Sequence, residues 1–469
     1  MQRSRDEPVS PAGRLFLQSK TELIINCSIG FKNPLEPEAM KTYVANSLFM
    51  KHPRFCSLLV VDAKGREFWR KTKINLDDHV IIHPKNPSLE CESEEECEDK
   101  INAILADYAV SSPLCMEKPL WELHIISELK CMIFRFHHAM GDGISLMSLF
   151  LATCKRLCDG KDAVSDVNVS ENKKGEIKKR KGKGNPFIRI LKVIWWTILS
   201  VMEVIGRSLW VRDKKTAISG GDGVELWPRM VATAKFTLED MKTVKRTIPQ
   251  ATINDVLFGV ISFGFSKYLE SRSSQGLQEG QQITGLATVN LRKQPGLQEV
   301  SKLMDENCSR WGNKFGFMIL PVYYHNTKDA DPLKFVKRAK VMIDRKKQSL
   351  GAHFSYYAGK FTMSLLGPKA ASMSNHKILC NTTFVISNIV GTQEESTFAG
   401  NPMTYITATT TSLPTAVMMH MVSYAGKASM QISVAKEIIP DPRFLAKCFQ
   451  DALLEMKTAA QPATMDDVC

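Results

Sequence analysis

The 469-residue chain is predicted to adopt an α/β fold built from two halves of similar size. Three observations lead to this prediction. The length exceeds the ~100–200 residues of one typical domain. Strand-like and helix-like apolar patterns alternate before residue 160 and resume after about residue 230. Residues 161–186 between them are polar, charged and glycine-containing, which is typical of a linker. The sequence therefore predicts an N-terminal part over 1–165, a connecting part over 166–229 and a C-terminal part over 230–469.

The N-terminal part begins with alternating helix and strand patterns. Pro37–Met50 is predicted to be helical, since proline is tolerated in a first helical turn. Ser57–Asp62 (SLLVVD) has the composition of a buried strand. An acidic stretch then leads into a helix that is expected to end near Tyr108. Two β-rich runs on either side of a short turn, followed by a mostly apolar helix, complete this part: Leu120–Ser127, Lys130–His137 and Ile144–Cys158.

The connecting part contains the most hydrophobic segment of the chain, Phe187–Val211. Charged residues interrupt this segment, and its charge-free centre, Val193–Met202, is only half the ~20 residues needed to span a bilayer. Its tryptophans favour a membrane–water interface, where indole rings prefer to lie. We therefore predict a helix lying in the membrane surface. A buried core helix and a single membrane span are the alternatives.

A basic run precedes this segment, at Lys173–Lys183 (KKGEIKKRKGK). Basic residues beside an apolar helix commonly face anionic lipid headgroups. A solvated linker is the alternative explanation of the run. Together, the basic run and the apolar segment predict a membrane surface as a partner of this protein.

The C-terminal part opens with an amphipathic helix over Thr252–Leu269, for which Thr252 is a suitable N-cap. Strand-like runs follow along the chain: Gln282–Leu291, Lys314–Tyr324, Asn381–Val390 and Thr415–Tyr424. Pro442–Lys457 has the spacing of a closing amphipathic helix. This mixture of strands and helices predicts the α/β class for the second half as well.

Composition excludes several classes of protein. A hydrophobic content of 44% and a net charge of +13 are ordinary for a folded chain of this size, which excludes global disorder. The mean hydropathy is −0.15, and no uncharged apolar run approaches ~18 residues, so a polytopic membrane protein is excluded. No folded module combines a basic face with interleaved aromatic residues, so nucleic acid is not an expected partner.

The cysteines indicate the redox compartment. The chain has 12 cysteines but neither a C-x-x-C pair nor the histidine spacing of a zinc site. No metal and no cofactor are therefore expected. The first residues, MQRSRDEPVSPAGRL, lack the apolar stretch of a signal peptide. Both observations indicate free thiols in a reducing compartment, so the catalytic part is expected to face the cytosol.

One short stretch carries most of the chemical information. His137 and His138 end a β-rich run, and Gly141, Asp142 and Gly143 lead into the next helix. Side chains alternate along a strand, so only one of the two histidines is expected to face a cleft. A histidine with a pKa near ~6.5 suits general-base work at neutral pH. The chain has no G-x-S-x-G elbow, so a serine acyl-enzyme has no support.

This arrangement, HHxxxDG, resembles the active-site motif of CoA-dependent acyltransferases. Pro119–His124 (PLWELH) upstream of it is similar to a signature of the wax ester synthase/diacylglycerol acyltransferase family. Asn254-Asp255 and Ser387–Gly391 (SNIVG) resemble two further motifs of that family. The resemblance extends from about residue 10 to 457 and is closest to the plant branch. Val390 and Thr392 replace the two prolines of the usual form, which leaves the substrate preference open.

The resemblance implies a fold and an activity. The fold would consist of two chloramphenicol-acetyltransferase-like halves with the active-site channel at their interface. The enzyme would esterify a long-chain fatty alcohol to a wax ester, or diacylglycerol to triacylglycerol, with acyl-CoA as co-substrate. A different alcohol acceptor, or an inactive membrane-associated protein of the same fold, are the alternatives. The endoplasmic reticulum membrane is the expected location, with the plasma membrane as a second candidate.

The same resemblance assigns roles around HHxxxDG. His138 is the expected general base, which activates the acceptor hydroxyl for direct attack on the thioester. His137 is expected to shape the site. Asp142 and Gly143 are expected to hold the loop, with Arg292 as the predicted ion-pair partner of Asp142.

Three residues of the C-terminal part are also candidates. Asn254 is expected to stabilise developing oxyanion charge, since one preorganised donor can be worth ~3 kcal/mol. A helix cap is the competing explanation for Asn254. Asp255 beside it is expected to be structural. Asn388 is either a contact to substrate or a turn residue at the end of a strand.

Overall fold

The computed structural model describes residues 6–161, 163, 186–272, 277–294, 296–304, 311–328 and 330–461. The basic run at Lys173–Lys183 lies outside these ranges. Within them, most strands belong to two large sheets, one of seven and one of six strands, and a small sheet has three. Helices cover the sheets, as the predicted α/β class requires.

The strands, in chain order, are β1 (Glu7–Pro8), β2 (Ile24–Phe31), β3 (Ser57–Val61), β4 (Glu67–Lys71), β5 (Val80–Ile82), β6 (Trp121–Ile126), β7 (Cys131–His137), β8 (Lys155–Arg156), β9 (Arg229–Thr237), β10 (Gln282–Asn290), β11 (Phe315–Tyr323), β12 (Phe384–Val390), β13 (Ser396–Phe398), β14 (Asn401–Thr410), β15 (Val417–Tyr424) and β16 (Lys427–Ala435).

The helices are α1 (Pro11–Phe16), α2 (Pro37–Asn46), α3 (Glu94–Tyr108), α4 (Gly143–Ala152), α5 (Pro186–Leu209), α6 (Leu238–Thr247), α7 (Ile253–Arg272), α8 (Val300–Leu303), α9 (Pro332–Lys347), α10 (Gly351–Leu365), α11 (Gly367–Cys380) and α12 (Pro442–Ala460).

The seven-stranded sheet has the order β5-β6-β7-β2-β14-β13-β8. Strand β7, which ends at His137, pairs antiparallel with β6 on one side and β2 on the other. Strands β13 and β14 come from the C-terminal part of the chain, and β14 pairs antiparallel with β2. The sheet is therefore assembled from segments that are far apart in the sequence. The division at residues 165 and 230 stays a prediction.

The six-stranded sheet has the order β11-β10-β12-β15-β16-β9 and belongs to the C-terminal part. Alternate residues of β15 face opposite sides, as the period of two requires. Met419 and Met421 belong to the core under α7, whereas Met418 and Val422 pack with residues of the N-terminal part. One face of this sheet therefore lies toward the first half of the protein.

Most of the predicted elements are confirmed with shifts of a few residues at their ends. The hairpin of β6 and β7, the helix ending at Tyr108 and the closing helix α12 lie where the patterns predict them. Trp121 is fully buried, and its indole Nε1 donates a hydrogen bond to the carbonyl oxygen of Phe55 at 2.9 Å. The PLWELH segment therefore belongs to the core of the N-terminal part.

Three of the predicted elements need correction. The helix expected over Ile144–Cys158 ends at Ala152, and β8 follows it, so the apolar run is divided between two elements. Strand β3 is mostly half-buried, because it belongs to the small sheet and not to the central one. Helix α7 is buried on most of its surface, since it packs between the sheet, α9 and α12, and so it is not amphipathic.

The expectation of free thiols is wrong for one pair of cysteines. Cys91 and Cys97 form a disulfide, with their Cα atoms 5.4 Å apart. Ser93 caps the N-terminus of α3 between them and turns the chain so that the two sulfurs meet. The other cysteines in the described ranges are free.

Helix α5 covers the hydrophobic segment of the connecting part and packs against α10 and α11. The inner side of its last turn carries Arg207, which is 2% exposed and donates to the carboxylate of Asp213 at 2.9 Å. Much of its opposite side exposes apolar residues, among them Trp195, 58% exposed, and Met202, 61% exposed. In the described part of the chain, no helix has the length and hydrophobicity needed to cross a membrane.

Candidate active site

His138 follows the last residue of β7, and the structure fixes its tautomer. Its Nδ1 lies 3.0 Å from Oδ1 of Asn313, and the amide nitrogen of Asn313 donates to the carbonyl oxygen of His138 at 2.9 Å. Because the amide nitrogen is used as a donor, Oδ1 must accept, and Nδ1 of His138 carries the proton. The unprotonated Nε2 is then free to act as a base.

Aromatic rings position the imidazole of His138. The ring of Phe16 lies 4.2 Å from it between centroids, and Phe315 lies 5.7 Å away on another side. This surrounding protein lowers the pKa of His138 below its usual value, because burial disfavours the charged imidazolium; Asp142 and Asn313 oppose the effect. His138 is therefore neutral at neutral pH, as a general base must be.

His138 opens into a cavity, here called the histidine cavity. Residues of the first half, such as Leu23 and Gly143, form one wall, and residues of β10, β12 and β15 form the opposite wall. The cavity therefore lies between the two parts of the chain. Several of its lining residues are polar: Thr21, Thr288, Asn375, Ser387, Thr410 and His420.

A second cavity adjoins the first and is mostly apolar; we call it the apolar cavity. The two cavities share five lining residues: Phe16, Leu286, Phe315, Phe317 and Asn375. The outer wall of the apolar cavity consists of α10 and α11, and Val204 of α5 also contributes. An apolar chain bound here would therefore reach toward His138 from the side of the exposed helix α5.

The predicted ion pair of Asp142 and Arg292 is confirmed. Both guanidinium NH groups of Arg292 contact the carboxylate, at 2.7 and 3.1 Å, and both side chains are nearly fully buried. Asp142 also caps α4 by accepting from the backbone N–H of Ser145 at 3.0 Å, and it accepts from the N–H of Lys314 at 3.0 Å. The carboxylate is therefore saturated with donors and joins the HHxxxDG loop to the segment that carries Asn313.

His137 points away from the histidine cavity, as the alternation along a strand predicts. Its ring is buried, and Nδ1 accepts a hydrogen bond from the backbone N–H of Ala139 at 3.1 Å. Burial lowers the pKa of His137 to about 3, so the ring is neutral. It therefore shapes the turn that presents His138 and does not face the cavity itself.

Gly143 is the first residue of α4 and lines the histidine cavity. A Cβ atom at this position would lie 2.5 Å from Cδ1 of Ile389. Glycine therefore lets the start of α4 approach the SNIVG segment closely, and the two motifs meet in one wall of the cavity.

The structure brings Asn254 and Asn388 together but not next to His138. The side-chain amide of Asn388 donates to Oδ1 of Asn254 at 2.9 Å, and neither residue is among those that line the histidine cavity. Asp255 is fully buried and exchanges hydrogen bonds with Thr252 at the start of α7, as a capping box does. Thr252 is thus confirmed as a cap. The oxyanion role of Asn254 stays a prediction.

Sequence reasoning missed Asn313, Phe16 and His420. Asn313 lies 175 residues from His138, and His420 lies on β15 in a run of apolar residues. No local pattern connects these positions to the HHxxxDG motif. Only the pairing of distant segments in the folded chain brings them to the same cavity.

One group of side chains away from the cavity has the composition of a metal site. Asp222, His376 and Cys380 bring potential ligand atoms within 4.8 Å of one another. Asp222 is exposed, and none of the three lines the histidine cavity. The group therefore has no part in the chemistry at His138.

Two protein-family models match the chain. The "Wax ester synthase/diacylglycerol acyltransferase catalytic domain" matches residues 63–257, and the "WS/DGAT C-terminal domain" matches residues 311–457. Wax ester synthase/diacylglycerol acyltransferase 8 of Arabidopsis thaliana is 30% identical, over 97% of each chain. Wax ester synthase/diacylglycerol acyltransferase 2 of the same plant is 33% identical, over 97% of this chain and 96% of the relative.

Solved structures share the fold. The wax ester synthase/diacylglycerol acyltransferase from Marinobacter aquaeolei VT8 has a TM-score of 0.60 at 16% identity, covering 97% of this chain and 99% of that one. The starter condensation domain of rhizomide synthetase has a TM-score of 0.56 at 12% identity, covering 99% of this chain and 96% of that one. At such identities the likeness defines the fold alone.

The likeness to these structures defines the class of fold, in which two α/β parts meet at the cavity of His138. Within that class, the relatives and both family models identify the particular group. The chain belongs to the wax ester synthase/diacylglycerol acyltransferase family. The resemblance found in the sequence motifs is thus confirmed.

Proposed function

We propose that this protein is an acyl-CoA-dependent O-acyltransferase in which His138 is the general base. The observation that carries the proposal is the hydrogen-bond network of Asn313, which leaves Nε2 of His138 unprotonated at the edge of the histidine cavity. The condensation domain with the same fold has been solved with C8-CoA, which supports an acyl thioester as the donor substrate.

The proposed reaction is a direct transfer. Nε2 of His138 accepts the proton of the acceptor hydroxyl while the hydroxyl oxygen forms a bond to the thioester carbonyl carbon. The tetrahedral intermediate then collapses, the carbon–sulfur bond breaks, and the departing thiolate takes the proton from the imidazolium. The products are an ester and free CoA, and the enzyme returns to its starting protonation state.

The apolar cavity supports a long-chain acceptor over a short soluble alcohol. The alkyl chain of an acceptor would lie against the residues that line both cavities, while its hydroxyl group reaches His138. Burial of each CH₂ group is worth ~0.8 kcal/mol, so a long chain gains far more from this cavity than a short one. The acceptors proposed are fatty alcohols, giving wax esters, and diacylglycerol, giving triacylglycerol.

The exposed side of α5 supports attachment to a membrane surface. Apolar residues follow one another along it, and the neighbouring α10 and α11 expose further ones: Phe187, Ile190, Ile194, Trp195, Ile198 and Met202 on α5, with Phe361, Leu365 and Met373 beyond. Such a surface is typical of helices that lie in the headgroup region. Acceptors dissolved in the bilayer would then enter the apolar cavity directly beneath α5.

The same proposal includes a location at the cytosolic face of the endoplasmic reticulum membrane. A free thiol at most of the described cysteines supports a reducing compartment. Cell fractionation and imaging of a fluorescent fusion test this part. Signal confined to the plasma membrane or to a soluble fraction contradicts it.

Lipid-product analysis tests the activity. Purified protein with palmitoyl-CoA is given hexadecanol, diacylglycerol or a short soluble alcohol, and the esters are identified by mass spectrometry. We expect ester from long-chain acceptors and none from His138→Ala, which keeps its fold. Because the pKa of His138 is lowered, the fall of kcat/KM on the acid side should have its midpoint below the ~6.5 of a free histidine. Wild-type rates in His138→Ala would contradict the assignment.

A further inference from the structure

His420 lies in the middle of β15, on the face of the six-stranded sheet that is directed toward the first half of the protein. Met418 and Val422, two positions before and after it, pack on that same side. In the strand register His420 lies opposite Ser387 of β12 and Gln431 of β16. The side chain of His420 lines the histidine cavity together with His138.

The imidazole of His420 lacks a partner within the described part of the chain. The residue is 8% exposed, and its Nδ1 is shielded from solvent without a hydrogen-bond partner. A buried polar group left unpaired costs ~1–3 kcal/mol. A proton on Nδ1 would have no acceptor, so the tautomer with the proton on Nε2 is favoured. This leaves an N–H group that a molecule in the cavity can meet.

Some hydroxyl groups of the cavity are already used within the protein, whereas those of Thr409 and Thr410 have no hydrogen-bond partner in the described part of the chain. Thr288 donates to the hydroxyl of Ser387 at 3.3 Å, and Thr21 donates to the carbonyl oxygen of Leu15 at 2.5 Å. Asn254, the donor that the motif resemblance suggests, does not line the cavity. The N–H of His420 is thus an uncommitted donor on the wall opposite the first half.

The charge state of His420 suits a donor and not a second base. Burial, and to a smaller extent the neighbouring His138, lower the pKa of His420 to about 4, so it is neutral at neutral pH. A neutral imidazole can stabilise an oxyanion through its N–H without giving up the proton. The two histidines of the cavity would then have different tasks, because only His138 has its Nδ1 proton engaged by an amide.

We propose that His420 is a catalytic residue that donates a hydrogen bond to the thioester carbonyl oxygen of the acyl-CoA and stabilises the oxyanion of the tetrahedral intermediate. This inference rests on the proposed acyl transfer and adds a donor to it. No proton changes place at His420, since the oxyanion forms and collapses while the N–H remains on the ring.

The kinetic test compares His420→Phe, which removes the donor and keeps the ring volume, with His420→Gln, which restores an N–H donor. Gln431→Leu is the matched control, because Gln431 is buried in the same cross-strand row but does not line the cavity. We expect His420→Phe to lower kcat about 10²–10³-fold with little change in KM. The kcat of His420→Gln should be at least about tenfold higher than that of His420→Phe. The kcat of Gln431→Leu should equal that of the wild type.

A spectroscopic test does not depend on turnover. Acyl-CoA labelled with ¹³C at the thioester carbonyl is bound without acceptor, and the carbonyl stretch is recorded by infrared difference spectroscopy. A hydrogen bond from His420 should lower the frequency in the wild type and in His420→Gln relative to His420→Phe. If His420→Phe does not fold, His420→Leu takes its place in the same comparison.

The outcomes separate the two proposals. A wild-type protein that forms no ester with any acceptor contradicts the proposed function. Normal ester formation with kcat of His420→Phe within about threefold of the wild type overturns the role of His420. An identical carbonyl frequency in the wild type and His420→Phe overturns it as well.

Discussion

At the residue scale, the site depends on two side chains that hold the HHxxxDG loop from a distance. Asn313 fixes the tautomer of His138, and Arg292 neutralises Asp142. Both belong to the C-terminal part of the chain, next to β11 and β10. The proposed base on one half is therefore oriented by groups on the other half, and its orientation depends on how the two parts meet.

Replacing Asn313 with alanine should lower kcat about 10²-fold, because the ring of His138 loses both its tautomer preference and its orientation. KM should change little, since Asn313 does not line the histidine cavity. Steady-state kinetics with the long-chain acceptor measure the effect, and the melting temperature shows whether the fold is kept. An unchanged kcat in a folded variant would mean that His138 is oriented by other contacts.

Replacing Arg292 with lysine should destabilise the protein although the charge is kept. An ammonium group cannot form the two-pronged contact with Asp142, and it leaves the carbonyl of Gly312, which Arg292 also contacts at 2.6 Å, without this donor. Disturbing a buried pair costs up to ~3–5 kcal/mol. Chemical denaturation measures the loss, with Arg246→Lys in an exposed pair as the control. Equal stability of the two variants would contradict this account.

At the element scale, α5 combines two sets of contacts on opposite sides. Its inner side is fixed to the C-terminal part by Arg207, which donates to the hydroxyl of Thr284 at 2.5 Å, and by Thr197, whose hydroxyl accepts from the N–H of Leu350 at 3.0 Å. Its outer side exposes apolar residues. Deleting the helix would therefore also open the apolar cavity, because Val204 lines it.

Point substitutions on the outer side separate the two roles of α5. Trp195→Ser, Ile198→Ser and Met202→Ser together should abolish flotation with liposomes and leave the fold intact, since all three are exposed. Activity on hexadecanol should fall more than activity on a short soluble alcohol. Val341→Ser on the exposed side of α9 is the control. Full flotation of the triple variant would show that another surface binds the membrane.

The sequence patterns correctly predict most helices and strands and the central residues of the site. The incorrect predictions have physical causes. The helix period predicts α3 because its burial follows one face, and β-rich runs predict β6 and β7, which are buried along their whole length. The same rules misjudge α7, since a helix surrounded by protein carries apolar residues on most sides. Residues such as Asn313 leave no signal, because hydrogen bonds between distant segments depend on the tertiary fold.

At the scale of the whole molecule, buried neutral histidines predict how stability changes with pH. Burial lowers the pKa of His52 and His137 to about 3 and that of His420 to about 4. The unfolded chain takes up these protons near pH ~6.5. Between pH ~6.5 and ~4 the unfolded state therefore binds more protons, and stability falls as the pH falls.

At pH ~5.5, each of the three histidines should lower the free energy of unfolding by ~1.4 kcal/mol relative to its value at neutral pH. Urea denaturation at a series of pH values measures the slope. His137→Gln removes one of the groups, so its stability should depend less on pH than that of the wild type. A flat wild-type profile between pH 7.5 and 5 would contradict this prediction.

The entry of β14 into the seven-stranded sheet has a consequence for synthesis on the ribosome. Strand β2 has β7 on one side, but its other edge stays open until Thr410 has emerged, roughly 270 residues after β7. At ~5–20 residues per second this interval lasts about 15–55 s. During translation the first half therefore presents an unpaired strand edge, the kind of surface that promotes aggregation. The nascent chain is thus expected to need chaperone protection until its second half arrives.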